Sequence, residues 1–439
     1  SVESRFAYEV QNSLSGLDPR GDPQLDGTLA SVTPSSSRSE TPAGGGPHRP
    51  MRILEIETFG RGGLIHYAFN LSCALAERGH QVTLLTTAAY ELADRSVPPN
   101  LHLVKGIARL TSRPRTRSSS RGLALGRSFE AVLDAFRVAA FARRLRPDVV
   151  HFHSTNNSAI AYLVLLRMSG IPVVTTAHVV TPHEPGRTRD AMHRRIHRLG
   201  RLVIAHSDFD RRRLIEECFV DPQQAIVIPH GEYGFFERGG EVQDRDAARQ
   251  SLGLGERDEV VLFFGFIREY KGLDVLLESW PAVTDARPAA RLVVAGDASR
   301  LSEARRGELR SWASRLGAVH RFEYIPFFEV ARYFAAADVL AMPYRHISQS
   351  GVLYLALSLG VPVVATTVGA LPEVLRHEDS ALLVPPESPA LLADALRRVL
   401  GDSELRGRLA QGGRRLADEH SWPAIAAKTE RAFVRFAKD

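Results

Sequence analysis

From Met51 onward, short apolar runs alternate with amphipathic helical stretches, and the chain goes through this plan twice. Strands are expected near Ile53–Ile56, Val82–Thr86, Leu101–Val104, Val149–His153, Val173–Ala177, Leu202–Ala205 and Ala225–Ile228. After a polar, irregular stretch they return near Val260–Phe264, Leu292–Val294, Arg321–Tyr324, Val339–Met342 and Val361–Ala365. Helices fall between most of them, including Phe129–Leu145 and Lys271–Trp280. Strands that alternate with helices form parallel βαβ units and a doubly wound sheet. Two such sheets leave a cleft between their carboxyl edges, where a ligand is expected.

At 439 residues, 44% of them hydrophobic, the chain has material for two ordinary cores. Residues 1–50 are rich in Ser, Pro and Gly with little apolar periodicity, and are expected to stay disordered because they bury too little surface to offset ordering entropy. The expected plan continues with a first domain over 51–233, a linker over 234–258, a second domain over 259–420 and a closing helix within 421–439 that packs on the first domain. Cys73 and Cys218 both sit in apolar helical patterns and read as reduced core thiols, which suits a cytoplasmic protein. No apolar run approaches the ~18 residues of a membrane span, and the N-terminus lacks the basic-then-apolar order of a signal peptide. The net charge of +6 is compatible with phosphorylated substrates or an anionic surface, so at most a peripheral association with the inner face of a membrane is expected, and no nucleic-acid partner. Six arginines within Arg109–Arg127 read as a solvated loop, with contact to a phosphorylated acceptor or a membrane surface as the sharper alternative.

The motifs fall at strand ends. Asp338–Glu373 reads as a buried strand, a polar turn, a helix that starts near Ser350-Gly351, a second buried strand and a Gly/Pro turn. The unpaired N–H groups of that helix start form a ready anion site. Phe264–Gly272 is a second strand-to-helix turn and carries Arg268 and Lys271. Only four of the 56 basic residues are lysine, which singles Lys271 out. Gly60-Arg61-Gly62-Gly63 follows the first strand but is not G-x-G-x-x-G, so a dinucleotide fingerprint is unsupported. His151 and His153 end a buried strand on one side of it, a spacing that suits a metal, but no convincing further ligands are visible and no metal is expected.

These motifs, in order and spacing over roughly 51–438, resemble the family-4 retaining glycosyltransferases of GT-B fold. The resemblance rests on Pro343-Tyr344, Ala356, Gly360–Thr366 and Gly369 to Glu373; on Lys271-Gly272; on the ending of Asp148–His153; on Thr176-Ala177-His178; and on Ile226–Gly231, where His230 replaces the family's Asn. It implies two Rossmann-like domains facing across a cleft, the C-terminal helix crossing back to the first. It also implies transfer of a sugar from a nucleotide-diphosphate sugar, UDP favoured, to a hydroxyl acceptor, with retention and without a metal or other cofactor.

Carried over residue by residue, Lys271 neutralises the departing diphosphate and His153 lies by the transferred sugar; the family's arginine falls at Phe266, and Arg268, two residues on, is expected to replace it. Donor contacts are expected at Gly62, Gly63, Gly296, Ile325, Ser348, Gln349, Ser350, Gly351 and Val352, and acceptor contacts at His178 and Arg187. Two family glutamates, one reading sugar hydroxyls and one the ribose, fall at Ile347 and Leu355, so Ser348, Gln349 and Ser350 are expected to compensate. A non-catalytic GT-B subunit is the alternative from another class, and a nucleotide-sugar 2-epimerase the weaker enzymatic one. The first does not need Lys271, His153 and the glycine loops; the second needs cleft carboxylates that the motifs do not assign.

Overall fold

The computed structural model describes residues 49–437 apart from 89, 93–94, 108–120, 154–158, 181–186 and 234–243. The expectations for residues 1–48, for most of the basic segment and for the first part of the linker lie outside the described residues. Among the described residues, two wholly parallel sheets organise the chain. The first contains β1 (Arg52–Ile56), β2 (Gln81–Thr87), β3 (Leu101–Ile107), β4 (Val149–Phe152), β5 (Val173–Thr176), β6 (Leu202–Ala205) and β7 (Ala225–Val227), in the order β3-β2-β1-β4-β5-β6-β7. The second contains β8 (Glu259–Phe264), β9 (Ala290–Ala295), β10 (Val319–Arg321), β11 (Val339–Met342), β12 (Val363–Thr366) and β13 (Leu382–Val384), in the order β10-β9-β8-β11-β12-β13.

Helices cover both faces of each sheet, which is why inner strands such as β11 (Val339–Met342) are apolar on both faces. In β1, Ile53 faces helices Gly63–Glu77 and Trp422–Ala437, while Leu54 and Ile56 face helices Arg121–Leu145 and Ala159–Met168. In β8, Leu262 and Phe264 face helices Phe327–Ala336 and Gly351–Ser358, while Val261 and Phe263 face Leu273–Ala286 and Pro389–Gly401. Strand order reverses beside β1/β4 and beside β8/β11, and these switch points open the crevice where α/β sheets bind ligands.

The structure departs from the sequence expectation at three elements. Helix Arg121–Leu145 begins inside the segment expected to be a loop, because its Leu-Ala-Leu stretch outweighs the surrounding arginines and glycines. Strand β10 lies upstream of Arg321–Tyr324, where His320 and Arg321 mask the apolar pattern. Strand β13 is only three residues long, too short for periodicity to reveal.

The closing helix belongs to the first domain's core. Trp422 Nε1 donates to the Glu232 carbonyl at 2.8 Å, Arg78 Nε reaches Glu430 at 2.6 Å, and the Phe433 ring meets His151 at 5.3 Å. Cys218 is buried and Cys73 half-buried, and burial raises their thiols to about 11 and about 12, respectively. No helix among the described residues is long and apolar enough to cross a membrane.

Candidate active site between the two sheets

A cavity of about 300 Å³ opens at the two switch points. Its wall includes Gly62, Gly63, Lys271, Gly296, Ile325, Gln349, Ser350, Gly351 and Val352, so most of the expected donor residues converge on one space.

Lys271 owes its position to glycine. Strand β8 ends at Phe264, and a single 3-10 turn, Glu269–Lys271, leads to Gly272 at φ 66°, in the left-handed region. A Cβ on Gly272 would lie 2.0 Å from the Pro343 carbonyl oxygen, so the turn carrying Lys271 presses directly on the end of β11. Gly272→Ala is therefore expected to cost about 2–4 kcal/mol of stability and to displace Lys271. Urea unfolding combined with a donor-binding titration would check both effects.

The Lys271 side chain is only 5% exposed, and its Nζ lies 5.3 Å from the centre of the Tyr344 ring. Burial, with the like charge of Arg268 adding to it, lowers its ammonium from the usual lysine range to about 7. A buried cation held this way gains from any anion that enters the cavity.

Helix Gly351–Ser358 starts beside it. Its N-cap Ser350 makes no side-chain capping bond and instead hydrogen-bonds Tyr344, so the helix's first N–H groups are not capped by that side chain. The Gln349 amide nitrogen is buried without a partner, while its oxygen takes a long bond from the Tyr354 hydroxyl at 3.4 Å. Gln349 itself lies on the cavity wall, and a buried donor without a partner is an uncommon feature of a folded chain. Ile347 and Leu355 also line the cavity, so the positions expected to hold carboxylates present an apolar surface there.

The first domain contributes the glycine loop. Glu57 accepts the N–H groups of Phe59 and Gly60, each at 2.7 Å, and burial raises its carboxyl to about 7 despite those donors. Glu91 accepts the Gly62 N–H at 2.6 Å, meets His66 Nε2 at 3.1 Å, and takes a bond from the Tyr324 hydroxyl of the second domain at 3.1 Å. On another side of the interface, Glu373 accepts the Asp208 N–H at 2.8 Å and pairs with Arg212. The two domains thus meet through polar contacts at the cavity wall and away from it.

Several expected residues lie elsewhere. His153 is fully buried, with Nε2 at 2.5 Å from Glu55, and burial lowers its imidazole to about 4. With no exposed surface it offers no contact to a sugar in the cavity. His151 shares Glu55 at 2.9 Å and meets Thr176 Oγ1 at 2.7 Å. Glu55, His151 and His153 therefore form a fully buried group with metal-ligand atoms, a third candidate ligand that the strand motif alone did not reveal. Arg268 donates to the Ile267 and Asp297 carbonyls, lies over the Phe266 ring and is not on the cavity wall. Ser348 is buried beside Asp210 of the first domain. His178 lies off the wall and bonds His206 at 3.1 Å, whereas Arg187 opens helix Arg187–His197 and its side chain lies outside the described residues.

Sequence reasoning missed Glu91, His66, Tyr233 and Phe327 on the wall. His66, Tyr233 and Phe327 lie two or three residues beyond Gly63, Gly231 and Ile325, whereas Glu91 reaches the cavity only through the packing of a distant segment.

Residues 61–231 match the family model described as Glycosyltransferase Family 4, and residues 258–402 match the one described as Glycosyl transferases group 1. The D-inositol 3-phosphate glycosyltransferase of Segniliparus rotundus is 29% identical over 428 residues, spanning 91% of this chain and 92% of that protein. The protein of the same name from Geodermatophilus obscurus is 30% identical over 403 residues, spanning 86% of each. Among solved structures, sucrose-phosphate synthase from Thermosynechococcus elongatus aligns with a TM-score of 0.70 at 22% identity, covering 89% of this chain and 100% of that one. HepE of Anabaena in complex with UDP-glucose aligns at 0.69 and 19% identity, covering 88% and 100%. At these identities the structural likeness speaks for the fold alone.

Proposed function

Because the chain belongs to glycosyltransferase family 4 and has the GT-B fold, we propose that it moves a sugar from a nucleotide-diphosphate sugar, UDP favoured, to a hydroxyl acceptor with retention at the anomeric carbon. That it is a glycosyltransferase follows from its relatives; the donor class, stereochemistry and metal independence are the proposal. One observation carries it: the buried Lys271 ammonium and the start of helix Gly351–Ser358 face the same cavity at the switch point of the second sheet. A diphosphate there meets a full positive charge and a helix N-terminus. Negative charge grows on the diphosphate as the glycosidic bond breaks, so a fixed cation stabilises the transition state more than the ground state.

In this reading Arg268 adds positive charge near Lys271, the Gln349 amide donates a hydrogen bond to the nucleotide sugar, and the Ile325 backbone abuts the base. The acceptor enters from the first-domain side, and the departing phosphate oxygen takes its hydroxyl proton, so no protein nucleophile is required. Contact between the domains excludes water that would otherwise hydrolyse the donor. The lysine and helix end supply charge without a metal, and the Glu55–His151–His153 group lies outside the cavity wall.

The test is product analysis with a panel of UDP- and GDP-sugars and polyol acceptors. Nucleotide release coupled to an axial-retained glycoside, unchanged by a chelator, is the expected result; an inverted product or chelator-abolished turnover would refute the mechanism. Gln349→Ala is expected to weaken donor binding about 10- to 150-fold, the range of one hydrogen bond to a charged group. Unchanged affinity by calorimetry would remove Gln349 from the donor site.

A further inference from the structure

We propose that Glu91 is an acceptor-specificity residue: it fills the anion position of the glycine loop from within the protein and so restricts the acceptor to a neutral or cationic hydroxyl compound rather than a phosphate ester. The proposal deepens the transferase reading and rests on it.

A glycine loop that leads into a helix commonly offers its N–H groups to an anionic ligand. Here three of them are already committed. The Phe59 and Gly60 N–H groups go to Glu57, and the Gly62 N–H goes to Glu91. Gly62 is the N-cap of the fifteen-residue helix Gly63–Glu77, so the Glu91 carboxylate sits where that helix end draws negative charge.

Glu91 is also part of the cavity wall, unlike the deeply buried Glu57, so a ligand meets it directly. Burial opposes its charge, but His66, the Gly62 N–H and the Tyr324 hydroxyl outweigh burial and hold the carboxyl below its usual range. Near neutral pH the first-domain wall therefore presents an ionised carboxylate. Such a group repels a phosphate ester and accepts hydrogen bonds from hydroxyl or ammonium groups. The bond from Tyr324 ties this carboxylate to the second domain. Phosphate is thereby directed to the Lys271 side, where the donor's diphosphate belongs, and away from the acceptor side. The relatives named above carry a phosphate-bearing acceptor in their names, which makes that ester the informative probe.

Binding of inorganic phosphate and of D-inositol 3-phosphate to the full chain is measured by calorimetry, with UDP present, for wild type, Glu91→Gln and Glu91→Ala. Thermal melts verify that each variant is folded. Glu91→Ala vacates the position and is expected to bind phosphate at least about tenfold more tightly than wild type, with Glu91→Gln between them. In initial-rate assays, wild type is expected to prefer inositol over its 3-phosphate by at least about tenfold in kcat/KM, and Glu91→Gln to narrow that ratio. Wild-type phosphate affinity equal to or tighter than that of Glu91→Ala overturns the proposal, as does a preference for the ester. Loss of the transferase reading would show instead as no nucleotide release from any donor. The wild-type-against-variant phosphate comparison would still decide the role of Glu91.

Discussion

Lys271→Met is expected to lower kcat/KM for sugar transfer by about 10²–10³-fold while leaving the fold intact, the range found when a preorganised charge at a developing anion is removed. Methionine fills nearly the same volume, so the contact with Tyr344 and the packing under Gly265 survive. Removing a cation that burial and Arg268 already disfavour should leave the melting temperature unchanged or higher. A fall in activity without a fall in melting temperature separates a chemical role from a structural one. Lys271→Arg is expected to recover little, because a Cβ on Gly265 would come within 3.2 Å of Lys271 Nζ and the larger guanidinium has no comparable space. Wild-type turnover in Lys271→Met would mean that the diphosphate is neutralised elsewhere.

Donor affinity is expected to fall about tenfold per pH unit above about 7 and to level off below it. In the free protein the Lys271 ammonium titrates at about 7, lowered by burial and then by Arg268. A diphosphate beside it favours the charged form and raises that value in the complex. Between the free and bound values, binding must therefore take up a proton, so affinity declines as pH rises through that window. Below the free value the lysine is already charged and the dependence vanishes. UDP-glucose is the suitable probe because its diphosphate, esterified at both ends, does not titrate near neutrality. Calorimetry at pH 8 in buffers of different ionisation enthalpy should report uptake approaching one proton, and at pH 6 almost none. Lys271→Met should abolish the difference. A slope that persists in that variant would assign the proton to another group, with Glu57, whose carboxyl lies at about 7, the first to examine.

Much of the second domain's contribution to the site was legible in the sequence because it lies on contiguous motifs. The strand-turn-helix segments around Lys271 and Ser350-Gly351 carry their own geometry: strand period, glycine at the turn, helix start. The first domain was less legible. Glu55 did leave a trace, as a carboxylate inside the apolar run of β1, but its meaning needed the parallel register that sets it opposite His151. His153 shows the converse error. Its position at a strand end suggested a cavity residue, yet it lies completely buried beside Glu55, His151, Tyr67 and His178. Helix Arg121–Leu145 was shortened because its arginines resembled a solvated loop, although leucine and alanine propensity extended it.

Sequence by itself determined the two doubly wound sheets, the glycine turns at their carboxyl edges and the single lysine placed in one of them. Those properties arise among neighbouring residues, through apolar period, backbone freedom at glycine and the chemistry of one turn. Tertiary structure alone decided what the cavity wall offers a ligand. It brought Glu91 onto Gly62 and against Tyr324 of the other domain, and withdrew His153 and Ser348 from the surface. These outcomes depend on packing between segments far apart in the chain, where no local pattern records which side chain will meet which backbone N–H.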